Sequence, residues 1–282
     1  MELEKILPKD GPPINEVTKY IEKYKNDLIV IKYGGNVLID RNVFNNFITD
    51  LSILNKLGLS TVVIHGGGPR IKRELEKSNI QSKFIKGLRV TDKDIISIVE
   101  SVLIDFNNDI VKSLKDKGTD AISMHTKNNN VIKIIPEAEE LGFVGIPNEI
   151  NKEQILNLIN QNKLPIISPL GLGAENKTYN INGDTAAMAV AKSLKSRRLL
   201  LMTNVDGVLD KNKKLIDEIS SSEVLKMIKD ETITEGMIPK INACLDAVNN
   251  GVTAVGIING KKPHSCLWEI FSDKGSGTLI RQ

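Results

Sequence analysis

The chain has 282 residues, of which 40% are hydrophobic and 26% charged, and its net charge is only +3. That composition suits a large globular core or two joined lobes, and the small charge speaks against a nucleic-acid binder, which gathers basic residues on one face or in a run. Two cysteines and three scattered histidines provide neither a disulfide framework nor a zinc-ligand spacing, and no apolar run is long enough to span a bilayer.

Residues 1–13 mix acids, lysines and prolines without an apolar stretch. They read as a loose start rather than a signal or transit peptide, so cytoplasm is the default compartment, or plastid stroma for an organelle-encoded chain. From Asn15 the spacing turns helical: Val17, Tyr20, Ile21 and Tyr24 share one stripe, with Asn15 as a candidate cap. That stripe can pack on its own domain or meet another subunit, and the sequence leaves both open. Strand and helix patterns then alternate. Strands are predicted at 28–32, 61–65, 121–124, 165–168, 199–203 and 254–258, and helices at 43–56, 69–77, 95–117, 152–161, 185–194, 221–229 and 240–249. Residues 127–147 break the rhythm and predict hairpins or irregular structure. The basic cluster at 192–198 reads as solvated helix surface. Near-continuous Val/Ile/Leu strands separated by helices imply an α/β fold with a mainly parallel sheet covered on both faces. In such a sheet ligands bind beyond the carboxyl ends of the strands, which directs attention to the glycine-rich loops there.

The first strand ends in Lys32-Tyr33-Gly34-Gly35-Asn36. A lysine entering a glycine pair can set an ammonium beside outward-pointing backbone N–H groups, an anion-favouring nest; a turn beside a surface lysine would look the same. The second strand ends in His65-Gly66-Gly67-Gly68-Pro69. Three glycines allow close approach of backbone to a ligand, and Pro69 suits a first helical turn whose N-terminus favours negative charge. This is neither a Walker A nor a G-x-G-x-x-G pattern, and His65 itself reads as structural. Arg89, in Gly87-Leu88-Arg89-Val90-Thr91, carries a planar fork suited to a carboxylate, although an exposed ion pair would also account for it. In the segment 179–187, Asn180 and Asn182 fall on one side of an extended stretch, and Asp184 opens a helix of small residues, as its cap or as a catalytic carboxylate. Asp206-Gly207 marks a further strand-end turn after Thr203. Finally Gly236-Met237-Ile238-Pro239-Lys240 sets a second lysine near a helix N-terminus, where a cation opposes the helix dipole unless an anion lies between.

Taken in order, KYGGN, HGGGP, GLRVT, YNINGDTAA, TNVDGV and GMIPK resemble the amino-acid kinase family, and within it the branch that acts on N-acetyl-L-glutamate. The resemblance implies a three-layer αβα sandwich of the carbamate kinase-like type. It implies an N-terminal segment over 1–27, an N-acetylglutamate-binding lobe over 28–196 and an ATP-binding lobe over 197–282. The implied reaction is phosphorylation of the γ-carboxylate by ATP, the second step of arginine biosynthesis. Carried over by position, Lys32 and Lys240 would stabilise the transferring phosphoryl group and Asp184 would orient them. Gly34 and Gly35 would bind phosphate, Gly67, Gly68, Arg89 and Asn180 the substrate, and Thr203, Asp206 and Met237 the nucleotide. Mg²⁺ would accompany ATP without a dedicated protein metal site.

The N-terminal helix and the segment 263–271 further resemble the arginine-inhibited hexamers of that branch, so a homohexamer built as a trimer of dimers with an arginine effector is implied. Lys274 stands where those members usually carry an acid, which would repel arginine unless Asp273 substitutes. Photosynthetic relatives add control by a PII signalling protein. Rival readings are a kinase of the same scaffold acting on an α-aminoadipate derivative, a catalytically silent arginine or nucleotide sensor, and a dinucleotide-dependent oxidoreductase.

Overall fold

The computed structural model describes residues 3–34, 40–233 and 237–282. Gly35 therefore lies outside the described residues. Helix α1 (Ile14–Tyr24) precedes β1 (Leu28–Tyr33), α2 (Arg41–Lys56), β2 (Ser60–His65) and α3 (Gly68–Lys77). A two-residue hairpin, β3 (Phe84–Ile85) and β4 (Leu88–Arg89), leads into the long α4 (Lys93–Asp116) and β5 (Ala121–Met124). The predicted irregular stretch takes in β6 (Ile132–Pro136) and the start of β7 (Gly145–Ile150), followed by α5 (Lys152–Asn160), β8 (Leu164–Ile167), β9 (Leu170–Leu172), β10 (Thr178–Asn180) and α6 (Gly183–Leu194). The chain then runs through β11 (Arg198–Thr203), β12 (Glu218–Ser220), α7 (Ser221–Lys229), α8 (Ile238–Asn249), β13 (Ala254–Asn259), α9 (Ser265–Phe271) and β14 (Gly277–Arg281).

The main sheet has the order β12-β14-β13-β11-β1-β2-β8-β5. The strands from β13 to β5 are mutually parallel, whereas β14 runs antiparallel to β13 and carries β12 beside it. Successive side chains of a strand face opposite sides, and the core divides accordingly. Ile29, Ile31 and Tyr33 join Val63, Leu200 and residues of α1, α2, α4 and α9 on one face. Val30 joins Val62, Ile64, Leu199, Leu201 and residues of α5, α6, α7 and α8 on the other. Two buried layers on a central sheet are the αβα sandwich expected from the sequence. A second sheet, β10-β9-β6-β7, flanks it, so 127–147 takes in β6 and the first half of its antiparallel partner β7.

Several predicted boundaries shift for local reasons. The Asp40 carboxylate accepts from Asn42 N (2.7 Å) and Val43 N (3.1 Å), so α2 starts two residues before the apolar pattern does. Asp92 caps α4 in the same manner. Asn15 is not a cap: α1 follows Pro13, and no side chain caps it. The apolar stripe of α1 is spent within the chain, because Val17, Tyr20 and Tyr24 are buried and α1 packs on α9. Helix α9 and strand β14 have no counterpart among the predicted elements. The first is only seven residues long and the second is an antiparallel edge addition, so neither produces a long periodic pattern. Among the described residues no helix is long and apolar enough to cross a membrane.

Candidate active site

Strand alternation puts Lys32 on the same face of β1 as Val30, the face covered by α6. There its side chain meets Asp184, in the first turn of α6. The Lys32 ammonium lies 2.9 Å from Asp184 Oδ1, and Lys240 donates to Oδ2 at 2.6 Å. Oδ1 is buried and makes its ion contact without a well-aligned hydrogen bond. Asp184 does not cap α6. Asn182 does, its side chain accepting from Asp184 N at 2.9 Å and Thr185 N at 3.1 Å, which leaves the Asp184 carboxylate for the two lysines. Burial alone would raise the Asp184 carboxyl, but the Lys32 and Lys240 ammonium groups outweigh it and hold it at about 2. Lys240 sits in the first turn of α8, whose apolar start includes Pro239. A cation there opposes the helix dipole, and the Asp184 contact offsets that cost.

Gly34 follows this lysine for a steric reason. A Cβ at position 34 would overlap the end of the Lys32 side chain as it folds back toward Asp184. Gly67, at the N-cap of α3, faces a comparable restriction, because a Cβ there would run into Leu103 of α4. A Cβ at Gly68 would meet only open space. Together the glycine loop, Lys32 and Asp184 border a cleft of about 220 Å³ that also takes in Arg89 and Asn180.

Arg89 ends the β3–β4 hairpin. Its guanidinium donates to Ser82 Oγ and, at 3.5 Å, to the Gly68 carbonyl, and it lies 4.8 Å from the centre of the Phe84 ring. Among the described residues it has no carboxylate partner, so the exposed ion pair considered from sequence is not formed. A half-buried guanidinium held by neutral groups retains its capacity for an incoming carboxylate. Asn180 donates to Thr91 Oγ1 at 3.4 Å, which ties β10 to the start of α4.

The structure does not bring Thr203, Asp206 or Met237 into this cleft. Thr203 ends β11, next to β1, and its hydroxyl bonds with the Val205 backbone at 3.1–3.2 Å. The Asp206 carboxylate pairs with Lys262 at 2.8 Å and accepts from Asn259 at 2.9 Å, contacts that lower its pKa in that order. Met237 is half-buried at the N-cap of α8, against the second core layer. The cleft lining also includes residues the sequence reading did not name as site members, Gly66 and Asn182 among them. Gly66 lies within the glycine run, and Asn182 is a strong cap type set directly before Gly-Asp, so its role was readable from capping preference.

Paired cations around a half-buried carboxylate, beside open backbone amides at the carboxyl edge of a parallel sheet, make a site for handling phosphate and carboxylate together. This is the chemistry of phosphoryl-transfer enzymes that lack a Walker loop. Residues 27–259 match the model of the amino acid kinase family, and the chain belongs to that family. It is 53% identical over 281 residues to the acetylglutamate kinase of Pelagibacter ubique, covering 100% of this chain and 98% of that one. It is 42% identical over 264 residues to the acetylglutamate kinase of Campylobacter fetus, covering 93% and 94%. A solved structure from Streptococcus mutans UA159 superposes with a TM-score of 0.75 at 32% identity, covering 90% of this chain and 98% of that one. N-acetylglutamate synthase from Neisseria gonorrhoeae, complexed with coenzyme A and N-acetyl-glutamate, superposes at 0.85 with 23% identity. That match takes in 95% of this chain but only 62% of the synthase. Giardia lamblia carbamate kinase bound to AMP-PNP superposes at 0.67 with 18% identity, covering 91% of this chain and 98% of that one. The synthase and the carbamate kinase are likenesses of fold alone.

Proposed function

We propose that this chain transfers the γ-phosphoryl group of ATP to the γ-carboxylate of N-acetyl-L-glutamate, giving N-acetyl-L-glutamyl 5-phosphate and ADP, the second step of arginine biosynthesis. The observation that carries the reading is Asp184 held between Lys32 and Lys240, at 2.9 and 2.6 Å, on the rim of the glycine-lined cleft. A carboxylate is already a competent nucleophile at neutral pH, so no general base is required. The difficulty lies in bringing an anionic acceptor up to an anionic triphosphate, and fixed cations and positioning address it. Lys32 and Lys240 stabilise charge on the transferring group, and Asp184 keeps both ammonium groups from drifting into solvent. Gly34, Gly35, Gly67 and Gly68 supply backbone donors, while Arg89 and Asn180 hold the acetylated amino acid. Thr203, Asp206 and Met237 shape the nucleotide side, which assigns 28–196 to the acceptor and 197–282 to ATP. Among the described residues no group of three or more His, Cys, Asp or Glu could hold a metal, and both Asp184 oxygens face ammonium groups. Mg²⁺ would travel on the phosphates of ATP. ADP release on adding N-acetyl-L-glutamate and ATP tests the reading; no ADP from the wild type overturns it.

Regulation by arginine and assembly into a homohexamer belong to the same proposal. Between α1, α9 and β14 lies a cavity of about 260 Å³ bordered by Tyr20, Lys23, Arg198, Glu269, Asp273 and Lys274. Burial raises the pKa of the Glu269 carboxyl, which accepts from Ser276 N at 2.8 Å. Asp273 is already taken by Lys19 at 2.7 Å and the Tyr20 hydroxyl at 2.5 Å, so it does not compensate for Lys274 and arginine feedback is weak. The hexamer rests on the resemblance of the N-terminal helix. Because the main stripe of α1 is buried within its own chain, any pairing of these helices uses the remaining faces, which include exposed Ile14. Light scattering that gives a dimer overturns that part.

A further inference from the structure

Beneath the glycine loop lies a chain of buried polar groups that the reaction itself does not touch. His65, Asn107 and Ser168 are fully buried, and His65 packs edge-on against Phe106 with ring centres 5.1 Å apart. The donor and acceptor roles can be assigned along the chain. Asn107 Nδ2 lies 2.9 Å from the Ile166 carbonyl, which can only accept, and Asn107 Oδ1 takes the Ser123 hydroxyl at 2.6 Å. The carbonyl contact fixes the amide orientation, and the hydroxyl, able to donate or accept, adapts to it. The second hydrogen on Asn107 Nδ2 therefore points to His65 Nε2 at 3.1 Å, which must accept it. A neutral imidazole that accepts at Nε2 carries its proton on Nδ1, and Nδ1 lies 2.8 Å from the Gly66 carbonyl. Burial lowers the His65 pKa to about 4, so the ring stays neutral at ordinary pH.

The consequence follows from the geometry of one peptide unit. There are no cis peptide bonds among the described residues, and in a planar trans peptide the C=O and the following N–H point in opposite directions. The Gly66 carbonyl is drawn inward to the His65 ring, while Gly66 and Gly67 both border the cleft. The Gly67 N–H is accordingly turned outward, and among the described residues it has no hydrogen-bond partner. Glycine on both sides of this peptide would otherwise let it flip at little cost, presenting a carbonyl oxygen to an anionic ligand.

We infer that His65 is a positioning residue which, held as its Nδ1–H tautomer by Asn107, locks the Gly66–Gly67 peptide with its N–H aimed into the cleft to receive the anionic oxygen of the acceptor or of the transferring phosphoryl group. The identity of that anion rests on the proposed function, but the lock itself does not.

The test separates the two. In ¹⁵N-labelled wild type, the His65 ring should show a protonated Nδ1 and an unprotonated Nε2, and the Gly67 amide should shift on titration with N-acetyl-L-glutamate or inorganic phosphate. His65→Asn, whose amide nitrogen falls near the place of Nδ1, should retain the Gly67 response and recover most of the activity that His65→Leu loses. His65→Leu should lose the Gly67 response and drop kcat by about a hundredfold, the scale of one preorganised backbone donor, with KM for ATP changed by less than about threefold. A protonated Nε2, or a Gly67 response that survives in folded His65→Leu, overturns the inference. If His65→Leu does not fold, the wild-type ring tautomer and Gly67 titration still decide it. Absence of ADP production by a wild type that shows both NMR signatures defeats the assigned reaction and leaves the lock standing.

Discussion

Replacing Asp184 by Asn keeps the shape of the side chain and removes the charge that two ammonium groups share. In the folded protein burial works against the Asp184 carboxylate, yet Lys32 and Lys240 bring its pKa from the ordinary 3.8 down to about 2. A carboxylate depressed in this way contributes stability that is fully present above its unfolded pKa and is lost as pH falls through the folded value. Here the contribution is about 2 kcal/mol above pH 4, declining toward pH 2. The substitution also strands Lys32, only 9% exposed, beside Lys240 with no counter-charge, and removing one partner from a buried ion pair costs about 3–5 kcal/mol. The site is open on its cleft side, which favours the lower end, so Asp184→Asn should lose about 3 kcal/mol at pH 7. The chain has one tryptophan, Trp268, and urea unfolding followed by its fluorescence at fixed protein concentration measures the difference. Because a protonated Asp resembles Asn, the gap between wild type and mutant should close as the pH is lowered from 4 toward 2. A mutant as stable as the wild type at pH 7, or a gap that persists unchanged in acid, refutes the account of Asp184 as the shared counter-ion.

Lys240→Ala should lower kcat for ADP release by about two to three decades, as expected for a preorganised charge at the reacting group; full activity would remove Lys240 from catalysis. Arg89→Lys keeps the charge but loses the planar fork, so steady-state kinetics should show a rise of about tenfold or more in KM for N-acetyl-L-glutamate, with KM for ATP little changed. Gly34→Ala places a methyl group on the Lys32 side chain. It should depress kcat while leaving the unfolding free energy measured in urea within about 1 kcal/mol of wild type, because the far end of Lys32 can move aside toward the open cleft while Lys240 still pairs with Asp184. Lys274→Glu removes a cation from the α1–α9 cavity and should lower the arginine concentration needed for half inhibition; equal insensitivity of both proteins would sink arginine as the effector.

Most of the sandwich was legible because its strands are continuous apolar runs and its longer helices carry amphipathic stripes, signals that depend only on neighbours in sequence. The parts that escaped are those decided by partners far along the chain. Helix α9 is stabilised by burial against α1, α2 and β13 rather than by its own seven-residue pattern. The site divides along the same line. The order of the glycine loops and the lysines was visible, but Asp184 as cap and Asp184 as counter-ion were equally good readings until Asn182 was seen to take the capping role. That one local fact frees the carboxylate, and the register of β1 then turns Lys32 toward it. The His65 lock was hidden more deeply, since a histidine before three glycines looks the same whether its ring reaches inward or outward. What distinguishes the cases is Asn107, 42 residues away, whose amide can face only one way because the Ile166 carbonyl can only accept. Residues with no chemistry of their own thus determine whether the glycine loop presents a donor or an acceptor to the cleft, and a loop composed of glycine alone would determine neither.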